Sequence, residues 1–178
     1  MSQTLAAPTE TISATEPIEF DRLYRSSRDD VYAYAAGMLR DGGAAEDVTA
    51  IAFERAYRNR SRFDRRRGSA RAWLFGIARN AALDELRRRQ RQRALVEEPI
   101  GLAGLDAEHQ VERSERRITL ARALNELEPR ERELIALKFF AGLNNPEIAA
   151  VLGISESNAG TRLHRVVTKL REACDGSS

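Results

Sequence analysis

The chain predicts an all-α protein of two small helical domains, a helical bundle and a helix-turn-helix, joined by a flexible linker. Three observations carry that prediction. Apolar residues recur at helical spacing along most of the sequence, and no stretch makes a convincing strand. Between the two periodic parts, Ala94 to Glu112 contains Pro99, Gly101, Gly104 and five acids, a composition that reads as a tether. The second part contains Asn145 to Arg165, where a cap, a proline, an apolar stripe, a glycine and a second cap follow in the order helix, tight turn, helix.

Taken in order, residues 1–17 are rich in Thr, Ser, Ala, Glu and Pro and are expected to be a disordered tail. They have neither the basic start nor the apolar core of a signal peptide. Ile18 to Leu39 carries Phe20, Leu23, Tyr24, Val31 and Tyr34 at helical spacing, as two helices or one broken near Ser26 and Ser27. Asp41, Gly42 and Gly43 read as a stop. Ala44 to Tyr57 places Val48, Ile51, Ala52, Phe53 and Tyr57 on one face, with Glu46 and Asp47 near the helix start, where negative charge is favoured. Ser69 is a plausible N-cap after the polar loop 65–69. The helix it opens buries Trp73, Leu74, Ile77 and Ala81 and runs to about Arg91.

Periodicity resumes near Ser114, and Pro129 suits the first turn of a further helix reaching Ala141, which Gly142 ends. In the last module Asn145 is the expected N-cap and Pro146 the first helical residue. Ile148, Ala149 and Leu152 form the buried stripe, Gly153 makes the turn, Ile154 plugs between the helices, and Ser155 caps the next helix. These boundaries divide the chain into 1–17, 18–93, 94–113 and 114–174.

The bulk numbers bound the function. With 178 residues, 42% hydrophobic and 31% charged, the chain can build two small cores, and no apolar run approaches the ~18 residues of a membrane span, so no membrane insertion is expected. The single cysteine, Cys174, excludes an internal disulfide and fits a cytoplasmic protein. His109, His164 and Cys174 have no metal-ligand or triad spacing. No catalytic residue, no metal and no cofactor is expected, and the protein does not read as an enzyme.

Charge is strongly uneven. The formal net charge is +2, yet Arg55 to Arg93 holds fourteen arginines against three acids, a local net of about +11. Such a patch attracts a polyanion by phosphate contact and counterion release. Phe63, Trp73 and Phe75 interleave with it, and aromatic faces beside positive charge suit unpaired bases. The competing readings are a solvated helix face and, for Trp73, a place in the core. In the helix-turn-helix, the spacing leaves Ser157, Asn158, Gly160, Thr161, Arg162 and Arg165 for the outer and flanking faces of the second helix. Asn and Arg can make bidentate contacts to base edges, and Arg and Thr can hold phosphates. An ordinary helical hairpin is the alternative.

Several short motifs in this order resemble an extracytoplasmic-function (ECF, group 4) sigma factor of the sigma-70 family. The first half resembles region two through Ala45-Glu46-Asp47, Phe53-Glu54-Arg55-Ala56-Tyr57, Trp73-Leu74, Ile77-Ala78-Arg79-Asn80 and Asp84-Glu85-Leu86-Arg87-Arg88. The second resembles region four through Leu124-Asn125-Glu126-Leu127, Arg130-Glu131-Arg132, Glu147-Ile148-Ala149, Leu152-Gly153-Ile154-Ser155 and Arg162-Leu163-His164-Arg165. The resemblance covers about Phe20 to Glu172.

The resemblance implies a transcription initiation factor that binds core RNA polymerase at its clamp helices and flap. Region two would recognise and melt the minus-ten element of promoter DNA, through Phe63, Arg71, Trp73, Arg79, Asn80, Asp84, Arg87 and Arg88. Region four would read the minus-thirty-five element through Ser157, Asn158, Thr161, Arg162 and Arg165. Asp47, Ala50, Phe53 and Arg55 would face polymerase, and an anti-sigma factor would hold the protein inactive. In the family the linker runs through polymerase channels; its acids here would either mimic an RNA backbone or simply solvate a tether. Ala50 and Ile51 stand where the family often has Gln and an acid, Asn158 and Gly160 where Thr and a basic residue are common, and Gly76 replaces a larger residue. A stand-alone helix-turn-helix regulator and an RNA-binding or antitermination protein are the rival functions.

Overall fold

The computed structural model describes residues 18–95 and 111–175, with side chains described for 18–92 and 118–175. Among these residues there are seven α-helices and no strand. The expected tail lies outside the described residues, as do 96–110 of the expected linker. The linker's ends are helical: α3 reaches Leu95 and α4 starts at Val111.

Helix α1 (Phe20–Leu39) is continuous. Ser26 and Ser27 do not break it, because the Ser26 hydroxyl donates back to the Leu23 carbonyl at 3.3 Å and Ser27 is buried. Arg40 closes the helix in the left-handed conformation at φ 54°. Helix α2 (Gly42–Arg58) begins two residues earlier than periodicity indicates. Asp41 is its cap, accepting from the Ala44 amide at 2.9 Å, so the expected stop is one helix's end and the next one's start. Two 3-10 turns, Arg60–Arg62 and Arg65–Arg67, lead to α3 (Ala70–Leu95). Ser69 caps α3, its hydroxyl accepting from the Ala72 amide at 3.0 Å.

Helices α1, α2 and α3 pack on one another around Val31, Tyr34, Val48, Leu74 and Phe75. Phe75 is fully buried, edge-on to Tyr34 with centroids 5.8 Å apart, so this ring belongs to the core and not to a stacking surface. Ile51 and Tyr57, expected on the inner face of α2, are exposed. The helix turns its alanines 45, 52 and 56 inward instead, which lets α1 and α3 approach closely.

The second half holds α4 (Val111–Asn125), α5 (Pro129–Ile135), α6 (Asn145–Leu152) and α7 (Glu156–Asp175). After Ile135 the chain widens into a π-helical turn, Ala136–Phe140, closed by the Ala141 amide on the Ala136 carbonyl at 2.9 Å. The cap of α6 is Asn144, not Asn145. Asn144 Oδ1 accepts from the Glu147 amide at 2.9 Å while Glu147 Oε2 accepts from the Asn144 amide at 3.1 Å, a capping box. Gly153, at φ 67° and ψ 36°, makes the left-handed turn into α7.

The halves touch. Helix α1 packs on the π-turn, α3 packs on α6, and one buried apolar cluster runs through both. The two helical units stand in the predicted order, and their packing on one another is a feature that the sequence did not indicate.

Candidate nucleic-acid interface

Helix α3 and the turns before it carry the first group of candidate residues. Phe63 and Trp73 are half-buried and form a tilted pair, centroids 5.5 Å apart. An open groove of about 960 Å³ runs beside Phe63, with Glu19, Leu23, Gly68, Ser69 and Arg71 also in its lining. Gly68 sits there at φ 138°, a backbone that excludes most side chains. Aromatic surface and a hydroxyl around one open groove suit an unstacked base.

Asn80 and Asp84 are exposed, one turn apart on α3. Asp84 accepts from Arg87 at 3.2 Å and from Arg55 of α2 at 3.4 Å. These pairs are well exposed, so each arginine can exchange its carboxylate for a phosphate at little cost.

The Arg87-Arg88-Arg89 run divides its labour. Arg88 and Arg89 both bond Glu85, at 2.7 Å and 2.8 Å, and Arg89 also reaches Asp41 at 2.9 Å and the Leu39 carbonyl at 3.3 Å. The hydrogen bond from Arg88, with help from Arg89, holds the Glu85 carboxyl down at about 2, although burial works the other way. Arg89 thus pins the α1–α2 corner.

Two of the arginines expected at the minus-ten element are engaged within the fold. Arg79 Nε donates to Glu133 Oε1 of α5 at 2.6 Å and a terminal nitrogen reaches Oε2 at 3.3 Å. The Glu133 side chain is 8% exposed and that of Arg79 27%. Arg71 donates to Asp30 at 2.7 Å and to the Ala141 carbonyl, and lies over the Phe75 ring at 5.3 Å. In this arrangement neither arginine faces solvent as a free phosphate ligand.

On the segment expected to face polymerase, Asp47, Ala50 and Arg55 are exposed on α2. Phe53 is 5% exposed, edge-on to Tyr24 at 4.8 Å and Phe20 at 6.3 Å, and this corrects its expected place on that surface. Sequence reasoning missed the exposed apolar residues there. Ile51 stands four residues after Asp47, hence on the same strip of helix, and is exposed. A strip that mixes Asp47 with Ile51 was the available signal.

The helix-turn-helix presents Ser157, Thr161, Arg162 and Arg165 at the surface of α7, with Asn158 half-buried. Ser155 caps the helix, its hydroxyl accepting from the Asn158 amide at 3.2 Å. Ala159 and Val166 face the core. The face left open starts at the helix N-terminus, as insertion into a major groove requires. A Cβ at Gly160 would lie 3.5 Å from Asn145 Nδ2 of α6.

Among the described residues no group of three or more His, Cys, Asp or Glu could hold a metal ion, and no helix is long and apolar enough to cross a membrane.

Comparison with known proteins matches both halves. Residues 23–92 match the family Sigma-70 region 2, and residues 117–170 match Sigma-70, region 4. The chain is 31% identical over 155 residues to the ECF RNA polymerase sigma factor SigM of Bacillus subtilis (strain 168), covering 85% of this chain and 92% of that protein. It is similar in structure to CnrH, solved in complex with the cytosolic domain of CnrY, with a TM-score of 0.64, 27% identity and 89% of each chain covered. The sigma factor RpoE, solved with the anti-sigma factor NepR from Bartonella quintana, shares the fold at a TM-score of 0.71 and 21% identity, over 88% of this chain and 97% of that one. Two matched regions in order, and a relative of this identity across most of both chains, establish that the chain belongs to the sigma-70 family, as an RNA polymerase sigma factor of the ECF type.

Proposed function

We propose that the chain binds core RNA polymerase, directs it to a particular set of promoters, opens the minus-ten element with residues 18–93 and reads the minus-thirty-five element with residues 114–174. One juxtaposition carries this reading. A single chain presents an aromatic, arginine-lined groove suited to unpaired bases and a helix-turn-helix suited to intact duplex. A stand-alone duplex-binding regulator has no use for the first.

Strand opening needs no covalent step. Sites that favour extruded bases over stacked ones shift the equilibrium, and the polymerase supplies the chemistry of synthesis. The chain thus acts as an initiation factor and not as a catalyst. Asp47, Ala50, Ile51 and Arg55 on α2 would meet the clamp helices, and the second half would meet the flap. An anti-sigma factor covering these faces would keep the protein inactive, in line with the complexes in which the relatives were solved. All these partners place its action in the cytoplasm.

The test is reconstitution with core polymerase and selection from a randomised DNA library. Two conserved blocks at fixed spacing, and transcription from them, are expected. Failure of the chain to associate with polymerase, or selection of a palindrome by the free protein, would overturn the reading.

A further inference from the structure

We propose that the α2 surface that meets polymerase continues across the α2–α3 seam, so that Arg88 is a polymerase contact and not a phosphate ligand, while Arg87 beside it serves DNA. The inference rests on the sigma-factor reading above and divides an arginine pair that the sequence leaves undivided.

Helix geometry separates the two arginines. Arg87 stands two turns beyond Asn80, on the same outer face of α3. Arg88 lies about 100° further round the helix. Its Nε and a terminal nitrogen donate to the two oxygens of Glu85, both at 2.7 Å, and the Glu85 side chain is 15% exposed. The guanidinium is thus drawn away from the outer face. The Glu85 hydrogen bond, with the Asp47 charge of α2 as a further attraction, lifts the Arg88 pKa above the ordinary arginine value. Arg88 therefore lies beside α2, within reach of the charge on its exposed strip.

Opposite charges face one another across the seam. Arg55 of α2 stands 3.4 Å from Asp84 of α3. Asp47, two turns before Arg55, attracts Arg88, one turn after Asp84. Exposed Ile51 lies between Asp47 and Arg55 on α2. The side chains of Arg55, Asp84 and Arg88 are 46%, 54% and 53% exposed, so each can take a further partner. Such a surface selects its partner by sign. A phosphate backbone would meet two carboxylates here and leave the isoleucine uncovered. A protein helix with an apolar residue flanked by a base and an acid complements the whole patch. Asp84 marks the border: Oδ2 accepts from Arg55 of the docking strip, and Oδ1 from Arg87 of the outer face.

The experiment uses the full chain, core polymerase and a promoter obtained by the selection above, with Arg88→Gln, Arg88→Lys and Arg87→Gln. Glu85 keeps its bond to Arg89 in every variant, so the fold persists. Fluorescence anisotropy of the labelled chain, titrated with core polymerase, reads docking. The salt dependence of promoter binding by the assembled complex, at saturating chain, reads phosphate contacts. Arg88→Gln should weaken docking on the order of fivefold, the upper range for one exposed charge pair, and keep the parent's salt slope. Arg88→Lys should recover most of that loss, because the charge is retained. Arg87→Gln should dock as the parent does and lower the salt slope by about one. Parent-level docking in Arg88→Gln, or a slope lowered by about one in that variant, overturns the assignment. An equal loss of docking in Arg87→Gln and Arg88→Gln overturns it as well. A parent chain that does not bind core polymerase overturns the sigma-factor reading and the assignment with it, whereas a docking parent with unresponsive Arg88 variants overturns the assignment alone.

Discussion

Arg162 and Arg165 stand on the open face of α7, whereas Arg71, Arg79 and Arg89 are each held by the fold. At this scale the identity of a side chain says less than its partner. Replacing Arg162 and Arg165 together with alanine should weaken binding to the upstream element and lower its salt slope by about two, one per lost phosphate contact. Association with polymerase, read by pull-down, should persist; loss of both functions in a folded protein would contradict the division of labour. The exposure of these two residues was legible in the sequence, because an amphipathic helix with known caps has a calculable outer face. The sequence indicated Phe53, Phe75 and Arg79 poorly. All three lie within arginine-rich or acidic motifs, yet their surroundings are made by Phe20, Tyr34 and Glu133, which are distant in the chain.

Helices here begin and end for reasons written nearby. The capping box of α6 places its start at Asn144, one residue before the expected cap. Asn144→Ala should therefore cost about 1 kcal/mol in urea unfolding. Asn145→Ala should change stability by less than about 0.5 kcal/mol, and a reversal of that order would refute the assignment. At the far end of α3, the Glu85 carboxyl is held at about 2 in the folded protein, against 4.5 ordinarily. Its stabilising effect is complete above the ordinary value and is lost as pH falls through about 2. Urea midpoints measured from about pH 5.5 down to about pH 2.5 should decline less steeply in Glu85→Gln than in the parent. An identical decline would mean that Arg88 and Arg89 do not hold that carboxylate. The π-turn after α5 was not legible from periodicity, since an extra residue within a helix leaves no local mark. The contact of Ala141 with Arg71 is what the altered path supplies.

Across the whole molecule, the two halves share a continuous core, and this couples their stability. Phe75 is fully buried in the first half and meets Tyr34, which lies at the contact with α5. Phe75→Ala should cost about 3–5 kcal/mol. If the core is one cooperative unit, hydrogen exchange should quicken in α5 as well as in α1 and α3. Faster exchange confined to the first half would show that the halves fold independently. The division into two helical units was visible beforehand because a Pro- and Gly-bearing acidic stretch interrupts the periodicity. Their docking was not, because complementary faces leave no signature until both are folded.

Residue order alone determined the helical class, the turn at Gly153, the cap at Ser69 and the outer face of α7. Each depends on spacing or chemistry within a few positions, and such interactions act in any tertiary setting. Tertiary structure alone decided which arginines are committed, which aromatic rings are core, and that one half covers part of the other. Arg79 and Glu133 are 54 residues apart in the chain, and an ion pair over that distance exists only where packing has brought the two charges together and removed the water between them.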